Sequence, residues 1–498
     1  MNPTPNVAPL AAGTRALVLG LGRTGVSCAR YLRRRGLSVR VADTRGHPPG
    51  LEALRADGAG VELRTGAFET ALLDDVAQVV VSPGLSVREP VVQEAGRRGL
   101  PVVGDIELFA REARAPVAAV TGTNGKSTVT ALVSTLATAA GRRTLAGGNL
   151  GEPALDLLAQ PVPELYVLEL SSFQLETTRS LRTAAATVLN VTPDHMDRYA
   201  SVQEYADAKA RIFDGCDVAV VNADDELVRG MPRPGQRVLS FSLHSPDADY
   251  ALAEQPEPLV LRRGEPLLPL ARLKLQGRHN AANAMAALAI AEALALPDAP
   301  VLAALGEFGG LPHRAQWVAD IDGVHYVNDS KGTNVGATVA AIDGLAGPLV
   351  LIAGGDGKNA DFAPLAAACR GKVRHAVLIG RDAPRIAAAL GALRGRSPFS
   401  PLGTLPFGDA PLFRQQRGEK SLRLEKGKRP LRKGSVPKGE RPLVEIAPDM
   451  PAAVRAARAA ARPGDTVLLS PACASLDMYR DYAQRGEAFV AAVRSLAP

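Results

Sequence analysis

The chain has 498 residues, of which 46% are hydrophobic, 22% charged and only 4% aromatic. That balance excludes a collagenous or disordered chain and a disulfide-stapled miniprotein, and the length suits about three domains that each bury a core. The net charge of +7 is local in origin: residues 411–442 hold eleven Lys/Arg against three Asp/Glu, and the rest of the chain has 47 basic and 48 acidic residues.

No apolar run reaches the roughly 18 residues of a membrane span. The N-terminus lacks a basic stretch ahead of its apolar residues, so no secretory signal and a cytoplasmic address are expected. Cys28, Cys216, Cys369 and Cys473 are scattered with no CxxC pair, which argues against both a disulfide framework and a cysteine zinc site.

In chain order, apolar strands at 16–19, 39–42 and 78–81 alternate with helical stretches, the pattern of a parallel α/β unit. The first strand runs into Gly20-Leu21-Gly22-Arg23-Thr24-Gly25, and Asp43 ends the second. Glycines at such a turn let amides at a helix N-terminus approach a pyrophosphate. A nicotinamide cofactor would place its ribose on Asp43, any other diphosphate nucleotide could use the same amides, and a purely structural turn has the same form.

A second series, with strands at 117–120, 166–168, 186–189 and 218–221, ends in an Ala-rich helix at 280–296. Its first strand leads into Thr121-Gly122-Thr123-Asn124-Gly125-Lys126-Ser127-Thr128, a P-loop-like string, although Val120 stands where the commonest spacing has its first glycine. In such a loop amides cradle phosphates, the Lys126 ammonium reaches the terminal ones and Ser127 can ligate magnesium. Glu169 and the run Asp194-His195-Met196-Asp197 fall at further strand ends, where parallel sheets face their ligands, so Glu169 and His195 are candidate metal or substrate ligands. Lys209, in Tyr205-Ala206-Asp207-Ala208-Lys209, reads by itself as part of an exposed helix.

The third series has strands at 324–327, 349–353, 375–379 and 466–469. Polar clusters sit at element ends: Pro312-His313-Arg314, Asn328-Asp329-Ser330-Lys331-Gly332-Thr333, Gly354-Gly355-Asp356-Gly357-Lys358 and Ser470-Pro471-Ala472-Cys473-Ala474-Ser475. Such groups suit a small anionic substrate. The expected organisation is three consecutive α/β domains at 1–104, 105–310 and 311–498, with a solvated, mobile basic insertion at about 411–442 in the last.

Taken together, GDIELF at 104–109, TGTNGKST, GGNLG at 147–151, LELSSFQLE at 168–176, NVTPDHMDRY at 190–199, GLPHR at 310–314, NDSKGTNVG, GGDGK and LSPACASLD at 469–477 resemble the ATP-dependent Mur ligase family, and within it the D-glutamate-adding branch. The resemblance implies a Rossmann-like UDP-binding domain, a P-loop-type ATP-binding central domain and a Rossmann-like C-terminal domain. It implies addition of D-glutamate to UDP-N-acetylmuramoyl-L-alanine in peptidoglycan precursor synthesis, with ATP and two magnesium ions.

By the same resemblance, Arg23, Thr24, Asp43, Thr44, Arg45 and Gly84 hold UDP, and Asn149 and His195 lie near the muramoyl-alanine end. Gly122, Thr123, Asn124, Gly125, Lys126, Ser127 and Thr128, with Asn283, Arg314 and Asp329, hold ATP. Ser127, Glu169, His195 and Lys209 serve the metals, Lys209 as a carbamate. Lys126, His195 and Lys209 are the implied catalytic set, and Thr333, Lys358, Ser475, Leu476 and Tyr482 form the D-glutamate pocket. A monomer without nucleic acid or stable membrane association is expected. The rivals are a nicotinamide dehydrogenase, resting on GLGRTG and Asp43, and a nucleic-acid-binding protein, resting on the basic insert. A folate polyglutamate ligase would share the central ATP motif alone.

Overall fold

The computed structural model describes residues 11–57, 61–149, 151–254, 257–275, 277–345, 347–391 and 442–496. The basic segment 414–441 lies outside them. Among the described residues no helix is long and apolar enough to cross a membrane. The chain divides into two compact units, one formed mainly by residues 1–316 and the other by 317–335, 346–357 and 361–498.

The first unit holds two sheets. The first sheet has β1 (Arg15–Leu19), β2 (Ser38–Asp43), β3 (Val61–Thr65), β4 (Gln78–Val81) and β5 (Val102–Val103), in the order β3-β2-β1-β4-β5. All its pairings are parallel. The second sheet has β6 (Val117–Thr121), β7 (Thr144–Gly148), β8 (Leu165–Glu169), β9 (Thr183–Val188), β10 (Cys216–Asn222), β11 (Arg237–Ser242), β12 (Tyr250–Ala253), β13 (Leu259–Arg262) and β14 (Glu265–Pro269). Its order is β14-β13-β12-β11-β10-β9-β6-β8-β7, and only the hairpin edge from β12 to β14 is antiparallel. The sequence pattern missed this edge.

The central strands of both sheets are unbroken apolar runs because helices cover both faces. Every residue of β4, β6 and β8 is buried. The helix Lys126–Ala139 packs Leu132, Val133 and Leu136 into the same core as Ala118 and Val120 of β6 and Val167 of β8.

The string GDIELF forms a short helix, Asp105–Ala110, that ties the two sheets into one unit. Ile106, Leu108 and Phe109 are buried in a core shared with Val18 of β1 and Tyr166 of β8. The Phe109 ring meets Tyr166 edge-on at 5.1 Å. Gln174 Nε2 donates to Asp105 Oδ2 at 2.9 Å, and Glu107 Oε2 accepts the amides of Arg179 and Ser180.

The second unit has one sheet, from β15 (Gln316–Ile321), β16 (Val324–Asn328), β17 (Leu349–Gly354), β18 (Val373–Ile379), β19 (Leu443–Ile446) and β20 (Thr466–Leu469). The order is β15-β16-β20-β17-β18-β19, with parallel pairing from β16 to β19. The last strand in sequence is therefore central, which puts the SPACAS loop between those following β16 and β17.

The turn after β1 shows why its glycines are needed. A Cβ on Gly25 would lie 1.9 Å from the Gly20 carbonyl oxygen, so the helix Arg23–Arg34 can approach the strand only without one. Gly25→Ala should cost about 3 kcal/mol through overpacking. The midpoint of thermal unfolding would fall accordingly, and an unchanged midpoint would refute the close packing.

Candidate active site

Three loops at carboxyl ends of strands build the site elements of the first unit. A cavity of about 450 Å³ is lined by Arg23, Thr24, Asp43, Thr44, Arg45, Gly84 and Asn149, together with Gln174. Seven of the eight residues expected at the UDP substrate therefore share one pocket. His195 is not among its lining residues. Gln174 was missed as a lining residue, although it stands in LELSSFQLE; it is fixed by a capping box with Ser171 and by its bond to Asp105.

Asp43 organises this pocket. It is 2% exposed. Its Oδ2 accepts the Leu21 amide at 2.7 Å and Arg45 Nη2 at 2.7 Å, while Oδ1 accepts the Arg45 amide and Nε at 2.9 and 2.8 Å. The carboxylate thus fixes the glycine loop and presents the Arg45 guanidinium. The hydrogen bonds from the Arg45 side chain, aided by the backbone amides, hold its pKa down at about 2.

Since the folded value lies below the unfolded value of about 4, the stabilisation of roughly 2 kcal/mol is present above pH 4 and is lost as pH falls toward 2. Asp43→Asn should remove this contribution. Urea titrations at pH 7 and pH 3 would then differ less in the variant than in the parent, and an equal difference would contradict the assignment.

The central loop follows β6. Gly122 and Gly125 adopt φ of +148° and +83°, and Gly125 caps the helix that Lys126 begins. Asn190 accepts the Asn124 amide through Oδ1 at 2.8 Å and returns Nδ2 to the Asn124 carbonyl at 3.2 Å. Thr123 is fixed by mutual bonds with Thr192. Asn283 lies against the loop, since a Cβ on Gly125 would come within 2.5 Å of its Oδ1. Arg314 Nη2 donates to Ser127 Oγ at 2.6 Å.

Lys126 and Lys209 converge on one acceptor. Lys126 Nζ donates to the carbonyls of Gly122 and Thr123, both at 2.9 Å, and Lys209 Nζ donates to the same Gly122 carbonyl at 3.0 Å. Lys209 is 1% exposed, which corrects the reading of its helix, Val202–Ala210, as an exposed one. Its neighbours Tyr205, Ala206, Ala208 and Ala210 are buried with it. Burial, reinforced by the charge of Lys126, pushes the Lys209 amine well below its usual range.

At the end of β8, Glu169 Oε1 accepts Asn149 Nδ2 at 2.6 Å, while Oε2 is buried without a hydrogen-bond partner. A buried carboxylate oxygen left unpaired is costly unless a cation completes it. Among the described residues no group of three or more His, Cys, Asp and Glu side chains is placed for a metal. His195, at φ +58°, sits in an aromatic cluster, edge-on to Phe173 at 4.9 Å. Burial lowers its pKa against the opposing pull of Asp194, so the ring is neutral at pH 7.

In the second unit, Asp329 follows β16 and accepts Ser470 Oγ of the loop after β20 at 2.7 Å. Asp356 and Ala474 form an isolated bridge between the GGDGK and SPACAS loops. A Cβ on Gly355 would meet the Ala474 carbonyl at 2.1 Å, so the loops touch through backbone. Thr333 lies in the loop beyond β16 with its amide on the Lys331 carbonyl, while Lys358, which is grouped with the first unit, adopts φ +50°. Ser475 is buried whereas Leu476 is 72% exposed. Lys331 Nζ stands 3.7 Å over the Tyr482 ring.

Arg485, unmarked in the sequence, locks these loops. It is buried and donates Nη2 to the Ser330 carbonyl at 2.8 Å, Nε to Ser330 Oγ at 3.1 Å and Nη1 to the Cys473 carbonyl at 3.0 Å. Burial depresses its guanidinium to about 10.

Comparison with known proteins accounts for these loops together. Residues 14–104 match the family model for the Mur ligase MurD-like N-terminal domain, 120–291 that for the Mur ligase middle domain, and 313–401 that for the Mur ligase glutamate ligase domain. A protein named UDP-N-acetylmuramoylalanine--D-glutamate ligase from Nitrosococcus oceani is 49% identical over 98% of this chain and 98% of its own. One of the same name from Methylococcus capsulatus is 48% identical over 97% of this chain and 95% of its own.

Among solved structures, the UDP-N-acetylmuramate-alanine ligase MurC from Thermotoga maritima superposes with a TM-score of 0.57 at 19% identity, covering 97% of this chain and 99% of its own. A pseudomurein peptide ligase type C from Methanothermus fervidus gives 0.54 at 15%, covering 97% and 100%. At such identities these two likenesses establish the fold alone. With near-full-length relatives at almost half identity, three matching domain models and the fold of its solved neighbours, this chain belongs to the Mur ligase family.

Proposed function

We propose that the chain joins D-glutamate to UDP-N-acetylmuramoyl-L-alanine with hydrolysis of ATP, in cytoplasmic peptidoglycan precursor synthesis. The observation that carries this reading is the 49% identity held over 98% of both chains with a ligase of that name. The pocket under Asp43 and Arg45 takes the UDP end, with Asn149 toward the muramoyl-alanine and His195 beyond it. Residues 122–128 take the ATP phosphates, with Asn283, Arg314 and Asp329 serving the nucleotide. Thr333, Lys358, Ser475, Leu476 and Tyr482 receive D-glutamate. The domains are 1–104 for UDP, 105–310 for ATP and 311–498 for the amino acid, on a monomer without stable membrane or nucleic-acid association.

The alanine carboxylate takes the terminal phosphoryl group of ATP, releasing ADP and leaving an acyl phosphate. The D-glutamate amine adds to that carbonyl, loses its proton, and the tetrahedral intermediate expels phosphate. Lys126 places a cation where charge builds on the transferring group. Magnesium, when bound, neutralises the triphosphate and the carboxylate so that they can approach.

The chain offers oxygen donors that fit two such ions: the unpartnered Glu169 Oε2, the Ser127 hydroxyl and a carbamate on Lys209. His195 contributes its neutral ring nearby. A neutral, buried amine adds carbon dioxide, losing a proton to give the carbamate anion, and the depressed Lys209 is suited to that step.

Phosphate release should require sugar nucleotide, ATP, magnesium and D-glutamate together, with L-glutamate at least about a hundredfold poorer. Release of equal size with L-glutamate, or without the sugar nucleotide, would overturn the assignment.

A further inference from the structure

The first unit has a second cavity, of about 940 Å³, to which none of the residues assigned above to nucleotide, substrate or metal contributes. Its walls come from the amino ends of strands: Pro101 and Val102 at β5, Pro116 and Val117 at β6, Arg182 and Thr183 at β9, and Asp217 at β10. The phosphate loop leaves the other end of β6, whose five residues span about 16 Å. The two regions therefore lie on opposite edges of the sheet.

Four arginines, Arg111, Arg114, Arg179 and Arg182, line this cavity against two carboxylates, Glu107 and Asp217. Glu107 is already occupied. Its Oε1 accepts Arg111 Nε at 3.1 Å and Ser180 Oγ at 3.0 Å, and its Oε2 accepts the Arg179 and Ser180 amides at 2.8 and 2.9 Å. That pair fixes the loop carrying Arg179 and Arg182. The side chains of Arg114, Arg179 and Arg182 have no hydrogen-bond or ion-pair partner among the described residues, and all three are exposed. Buried Val103, Val117 and Leu181 supply an apolar floor beside them.

Three guanidinium groups without partners among the described residues stand at the rim of one concave space of ligand size, two of them on the loop held by Glu107, and suit a multiply charged phosphate group. We propose that this cavity binds an oligophosphate-bearing small molecule, with Arg114, Arg179 and Arg182 on its phosphates and the apolar floor against the remainder. The site is separate from the reaction proposed above and does not depend on it.

Calorimetric titration of the full chain tests this with no other nucleotide present, the sites of the proposed reaction being common to parent and variant. The probes are inorganic pyrophosphate and GDP. The parent should bind one equivalent that Arg114→Gln/Arg179→Gln/Arg182→Gln binds at least about tenfold more weakly. Raising the salt should weaken parental binding. Equal affinity for both probes supports a free oligophosphate, and tighter GDP binding supports a nucleotide. The three arginines are exposed, so the variant should melt like the parent and keep its turnover without probe. Absence of pyrophosphate and GDP binding by the parent, or equal binding by parent and variant, would overturn the proposal.

Discussion

Lys209→Ala should fold and lose about a hundredfold or more of the turnover, the usual cost of removing one preorganised charged group from a reacting site. The structure explains why a plain lysine is the wrong group there. Its ammonium shares the Gly122 carbonyl with Lys126 and is buried almost completely. Desolvation penalises the charged form, and the second cation on the same acceptor adds repulsion.

Both effects favour the neutral amine, the form that takes up carbon dioxide, and a carbamate would replace the repelled cation with two oxygen donors. A short-chain carboxylic acid should therefore restore part of the activity to Lys209→Ala by filling the vacated space. Lys209→Arg should stay inactive, because a guanidinium keeps its charge and cannot form the carbamate. Full turnover by Lys209→Ala, folded by circular dichroism and without added acid, would remove this residue from the mechanism.

Lys126→Ala should be at least as damaging, with a loss of about a thousandfold. Here the missing element is a cation, so the carboxylic acid that helps Lys209→Ala should do nothing. The Lys126 ammonium caps the carbonyls of Gly122 and Thr123, holding the loop in the shape that presents its amides. Its removal should weaken ATP binding as well as the phosphoryl step, read as changes in both KM and kcat. Turnover within tenfold of the parent, or rescue by the same acid, would contradict the distinction between the two lysines.

The strands that carry these loops were legible because buried parallel strands are continuous apolar runs bounded by glycine and polar turns. Expected strands at 16–19, 78–81 and 466–469 correspond to β1, β4 and β20 within one residue. The hairpin edge of the central sheet was not legible: β13 and β14 include Arg262, Glu265 and two prolines, a composition that also suits a loop.

Single charged residues inside helices were harder still. Lys209 and Arg485 occur in sequences that suit an exposed face, and their burial depends on partners distant in sequence, such as Gly122 for one and Ser330 for the other. Local periodicity holds no trace of such partners. The glycine loops were legible for the opposite reason, since close backbone approach at Gly25 and Gly355 demands glycine itself.

The central claim is ligation through an acyl phosphate, and heavy-oxygen labelling tests it most directly. UDP-N-acetylmuramoyl-L-alanine labelled in the alanine carboxylate should, with ATP, magnesium and D-glutamate, pass one labelled oxygen into each phosphate released as the glutamyl product forms. Product formation with no label in the phosphate would contradict the account.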